Sequence, residues 1–168
     1  VWTKDDAALL ISLLNDRNPM VRANAVRNLD KLMIKESVPH ILVFLEEERT
    51  KPDADREYND CHSIDSAMKL LSNMSDESCV PELLLWAVHT TDDFYRLNAV
   101  NTIIKLGDIR VIPIAEEMLK EEKKPVRKEK NGFTSMSHVK PIKELVKEEL
   151  KKSPNRKIKK LAGRKIFP

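Results

Sequence analysis

Glycine is almost missing from this chain, at three residues in 168, and aromatic residues make up only 5%. Glycine serves tight turns and aromatics favour strands, so their scarcity argues against a β-rich fold. The two cysteines, Cys61 and Cys79, are too few for a disulfide scaffold and fit a reducing compartment such as the cytoplasm. If each opens one helix of an antiparallel pair, the intervening helix separates them by about 20 Å at 1.5 Å per residue, too far for a disulfide. Both read as small buried hydrophobes. No apolar run reaches the length of a membrane span, and no stretch has the pattern of a signal peptide.

Catalytic constellations are missing as well. His40, His62, His89 and His138 are scattered, and Cys61-His62 with Cys79 and His89 lacks a zinc-site spacing. There is no Gly-rich phosphate loop and no G-x-S-x-G nucleophile turn. Asp92-Asp93 reads as a helix-start charge pair, and Glu46-Glu47-Glu48 as a solvated face. Asn73-Met74-Ser75 matches the glycosylation pattern by coincidence in a chain expected to be intracellular. The expectation is no catalytic residue, no metal ligand and no cofactor, hence no enzyme.

What is present is charge, unevenly placed, and repetition. Residues 1–119 hold 13 Lys and Arg against 21 Asp and Glu; residues 120–168 hold 17 against 6. The net charge of +3 therefore conceals an acidic body and a basic tail, an asymmetry that speaks of partners rather than of fold. A shift of 42 residues lays Ala25, Leu29 and Leu32 on Ala67, Leu71 and Met74, and Val38-Pro39 on Val80-Pro81. A further 32 reaches Ala99, Ile103, Leu106 and Ile112-Pro113.

Each unit reads as two helices. The first carries small and apolar residues at a 3.6-residue period, with Ala25, Ala67 and Ala99 letting its neighbour approach. The second starts at the proline, whose missing N–H costs nothing in a first turn. The ten surplus residues between units one and two fall in Glu46–Asp60, which reads as an exposed loop, and residues 123–138 read as a second break.

The pattern Asp16, Pro19, Val21, Arg22, Ala25, Leu29 and Leu32, followed by Val38-Pro39, resembles HEAT repeats, most nearly the short type of phycobilin-lyase-like proteins. The resemblance covers residues 5–122, and Pro141 with Ile142, Leu145 and Val146 suggests one more closing helix. It implies an all-α fold, an α-solenoid built as a superhelix of antiparallel helix pairs. It also implies an Asp–Arg ladder between repeats at Asp16 and Arg22, interrupted at Tyr58, Ile64 and Thr90 in the later units. No His-Glu pair recurs, unlike the metal site of HEAT-repeat deoxyhypusine hydroxylases. The expected division is a repeat array over residues 1–122 and a basic linker with a C-terminal helical cap or tail over 123–168.

In stacked helical repeats the second helices line the concave face. Outward positions there hold His40, Val43 and Glu47, then Glu82, Leu85 and His89, then Ile114, Glu117 and Glu121. His40, Val43, Glu82, Leu85, Glu117 and Glu121 form the expected partner-binding set, an apolar strip flanked by carboxylates that suits a basic or amphipathic protein segment. The alternative is a nucleic-acid-binding module that uses Lys157, Lys159, Lys160, Arg164 and Lys165 against phosphates. The tail itself, residues 151–166, is a further candidate to fill the strip or to cap the open end.

Overall fold

The computed structural model describes residues 1–51, 60–120 and 142–164. Among the described residues there are nine α-helices and no strand: α1 (Ala7–Ser12), α2 (Pro19–Leu32), α3 (Val38–Thr50), α4 (Asp60–Met74), α5 (Val80–His89), α6 (Asp93–Leu106), α7 (Ile112–Lys120), α8 (Ile142–Lys152) and α9 (Arg156–Leu161). The helices form an all-α solenoid. In one layer α2 packs on α4, α4 on α6 and α6 on α8; in the other α3 meets α5, and α7 meets α9.

One turn recurs in every unit and explains the spacing. Met33, Ser75 and Gly107 end α2, α4 and α6 with positive φ of 54°, 53° and 80°. An extended residue follows (Ile34, Asp76, Asp108), then a 3-10 turn at Lys35–Ser37, Glu77–Cys79 and Ile109–Val111. Val38-Pro39, Val80-Pro81 and Ile112-Pro113 then open α3, α5 and α7, as the prolines required. The starts of first helices are capped as well. Asn18 accepts the Met20 N–H at 2.9 Å, and Asp92 accepts that of Phe94 at 2.8 Å.

The registered positions are the core. Ala25, Ala67 and Ala99 are buried, and Leu29, Leu71 and Ile103 are each 0% exposed. Trp86 of α5 meets Tyr95 of α6 edge to face, with ring centroids 5.5 Å apart, which pins the second unit to the third. Cys79 is buried, and its thiol is pushed up to about 12, chiefly by burial. It therefore behaves as a small apolar residue. The side chain of Cys61 lies outside the described residues, so the pair's separation does too.

Two expectations change. The stretch read as a loop, Glu46–Asp60, begins as helix: α3 continues through Thr50, because Glu48 turns inward to meet Arg22 and Lys51. Residues 52–59 lie outside the described residues, and Asp60 already belongs to α4. The ladder is also built differently. Arg22 Nη1 donates to the backbone carbonyls of Asp16 (2.9 Å) and Arg17 (3.2 Å) inside its own unit, while the Asp16 carboxylate accepts the Asn18 N–H. Among the described residues, two asparagines also link first helices of neighbouring units, Asn73 to Asp30 at 2.9 Å and Asn98 to Asp65 at 3.0 Å. The domain boundary at 122/123 and the break at 123–138 fall outside the described residues.

The C-terminal helices continue the stack. Val146, Leu150, Ile158 and Leu161 are buried in the same core as the repeats. Ser153 Oγ donates to the Ile104 carbonyl and Asn155 Nδ2 to that of Gly107, both at 2.9 Å. A Cβ on Gly107 would lie 3.0 Å from Pro154 Cγ, so this glycine gives the α8–α9 link room to seat.

Candidate partner-binding face

The second helices α3, α5 and α7 each bury one stripe. In α3 it is Val38, Ile41, Phe44, Leu45 and Glu48; in α5, Val80, Leu83, Trp86 and Ala87; in α7, Ala115, Met118 and Leu119. The opposite sides are therefore outward by helical geometry alone.

Of the expected set, His40, Val43, Leu85 and Glu117 are exposed, Val43 by 53% and Leu85 by 38%. Glu82 is different. Arg49 Nε donates to its Oε1 at 2.8 Å and Nη2 to its Oε2 at 3.3 Å, so its charge is matched within the chain. This hydrogen bond to Glu82 also raises the Arg49 guanidinium above its ordinary range. Val43 lies six residues before Arg49 and Leu85 three after Glu82, about 9 Å and 4.5 Å of axial rise. The ion pair thus lies within two helical turns of each apolar residue along its own helix. Glu121 lies outside the described residues.

Sequence reasoning missed a row. The shifts of 42 and 32 also align Glu46, Val88 and Lys120, and all three are exposed, Val88 by 62%. Val88 sits one turn beyond Leu85, on its side of α5, and together they form the largest apolar element of this face. The signal was present: Val88 falls outside the buried stripe of α5, but an apolar residue in "LLLWAV" is easily taken for core. Glu46, Glu47 and Glu117 supply the exposed negative charge around it.

Of the alternative set, Lys157, Lys159, Lys160 and Arg164 are exposed on and just after α9, the helix that packs beside α7. Arg164 Nη1 donates to Glu116 of α7 at 3.0 Å, and Lys165 lies outside the described residues. The tail segment through Arg164 packs at the α6–α7 end of the stack. Among the described residues no three His, Cys, Asp or Glu side chains gather where a metal ion would be held. Within the same residues no helix is long and apolar enough to cross a membrane.

No curated protein matches the chain. A family model described as HEAT repeat matches residues 8–35, a span that runs from α1 through α2 into the first recurrent turn. The match covers the first unit, and the apolar positions registered with it recur through α7.

Proposed function

We propose that this chain is a non-catalytic interaction scaffold that receives a basic or amphipathic segment of another protein on the outward face of α3, α5 and α7. HEAT repeats generally mediate protein–protein interaction, and solenoids present extended surfaces for it. The observation that carries the finer reading is the exposure of Val43, Leu85 and Val88 on second helices, beside Glu46, Glu47 and Glu117. An amphipathic helix would place apolar residues on Leu85 and Val88 and cations toward the carboxylates, which steer its approach. We assign the repeats to the short phycobilin-lyase-like type by their spacing, a kinship that carries no lyase activity with it. A cytoplasmic setting belongs to the same proposal and is supported by the low cysteine content of the chain.

The test is capture of partners on immobilised full-length chain, compared with a Val43→Glu, Leu85→Glu, Val88→Glu variant. The expected result is loss of the captured protein with helicity and melting temperature nearly unchanged. Retention of the partner by the triple variant overturns the assignment of this face.

A further inference from the structure

We infer that the outer face of the C-terminal cap, α9 with the last turn of α8, is a docking surface for the phosphate backbone of double-stranded nucleic acid. This rests on different residues from the partner face and stands independently of it.

Seven cations and no carboxylate fall in residues 151–164. Their placement is not that of an ordinary solvated end. In α9 only Ile158 and Leu161 are buried, and they lie about 60° apart on the helix at 100° per residue. The other four positions, Arg156, Lys157, Lys159 and Lys160, fan across the opposite side, so every exposed position of the helix is cationic. Lys151 and Lys152 join them from the end of α8, three and two residues before Pro154. Among the described residues, Lys152 meets Glu149; Lys151 and the four cations of α9 meet no carboxylate.

The same cap supplies a comparison. Over residues 142–150, Lys143 and Lys147 alternate with Glu144, Glu148 and Glu149, the mixed pattern of a surface that only needs to be soluble. Past residue 150 the negative charges stop. Like charges held this close repel one another, and a bound polyanion removes that cost.

The cations are also held in place. Ser153 and Asn155 are bonded to the carbonyls of Ile104 and Gly107, which fixes the link between the two cationic segments on the third repeat. Burial of Ile158 and Leu161 fixes the rotation of α9.

Three features select the ligand. Among the described residues of the cap no large apolar side chain is exposed, so nothing inserts into a bilayer and nothing anchors a protein interface. Among the described residues of the cap there is no aromatic side chain to serve as the stacking platform that single strands need. Phosphate-backbone binding to a duplex needs only the positioned charges. The acidic body, with 21 Asp and Glu against 13 Lys and Arg over residues 1–119, confines the contact to this end.

The experiment is fluorescence anisotropy of a labelled, mixed-sequence DNA duplex titrated with the full chain across a salt series. Five to six phosphate contacts predict a slope of log K against log salt of about −5, and roughly a 10³-fold affinity loss from 50 to 200 mM salt. A Lys157→Ala, Lys159→Ala, Lys160→Ala variant should flatten that slope by about 3, while Lys69→Ala, Lys105→Ala on the body leaves it unchanged. Circular dichroism of each variant confirms that the cap is still helical. No binding at low salt overturns the proposal, as does wild-type affinity in the α9 variant. Tighter binding to single strands, or to phosphatidylserine vesicles, than to the duplex overturns it too.

Discussion

Arg49 of α3 and Glu82 of α5 meet through two hydrogen bonds, at 2.8 and 3.3 Å, across the junction between the first and second repeats. The side chains are only 17% and 14% exposed, so the pair is shielded from salt far better than a surface ion pair. The contact joins the last turn of one second helix to the first turn of the next. Energy between repeats passes through such nearest-neighbour terms. A double-mutant cycle with Arg49→Ala and Glu82→Ala should return a coupling of about 1–2 kcal/mol, above the usual exposed pair. Denaturant melts of the four proteins supply the measurement, and additive effects would show that the pair does not join the repeats.

Leu29 and Leu71 occupy equivalent places on α2 and α4, both 0% exposed. Replacing either with Ala should cost about 2–5 kcal/mol, from lost burial and the cavity left behind. Val43→Ala should change stability by less than about 0.5 kcal/mol, since that side chain is mostly in solvent. Urea unfolding distinguishes the two outcomes directly.

Much of this fold was legible because it repeats. A buried Leu or Ala at one position is weak information, but the same residue 42 and then 32 positions later fixes the helix face. Glu48 shows where the reading failed. It sits in a run of three glutamates that looks uniformly solvated, yet it is buried because Arg22 and Lys51 come to it from α2 and from the end of α3. No local pattern encodes a partner 26 residues away. The inter-repeat asparagines escaped notice for a related reason: Asn73 and Asn98 are ordinary polar positions until packing brings Asp30 and Asp65 beside them. Of the candidate face, the outward positions of Val43 and Leu85 followed from helical period. The pairing of Glu82 did not, because it depends on how far one second helix slides along the next.

Asp76 and Asp108 both open recurrent turns, and both carboxyls are held below the ordinary range. Hydrogen bonding to Ser78 is the main cause for Asp76, and the Arg110 side chain for Asp108. A carboxyl lowered in the folded state stabilises it fully above the unfolded value near 3.9, and that contribution disappears as pH falls through the lower folded value. Melting temperature should therefore decline on acidification below about pH 4, with proton uptake on unfolding. Asp76→Asn with Asp108→Asn should flatten that acid limb. An unchanged limb would mean that these caps do not set acid stability.

Met33, Ser75 and Gly107 fill one structural position with three different residues, all at positive φ. Gly107 is suited to it; Met33 and Ser75 are not, because a Cβ in the left-handed region crowds the following carbonyl at about 1–2 kcal/mol. Met33 is 48% exposed, so its side chain has little packing to lose. Glycine there relieves the strain but adds about 0.5–1 kcal/mol of unfolded-state freedom. The balance predicts that Met33→Gly and Ser75→Gly each stabilise the protein by about 0.5–1 kcal/mol, against the usual direction of mutation to glycine. Gly107→Ala should do the reverse on two counts, the strained φ of 80° and a new Cβ 3.0 Å from Pro154 Cγ. That clash falls on the seat of the α8–α9 link, so hydrogen exchange in α8 should rise with it. Denaturant midpoints for the three variants decide the matter: a loss of stability in both Met33→Gly and Ser75→Gly would show that the recurrent turn is held by side-chain contacts rather than by backbone conformation.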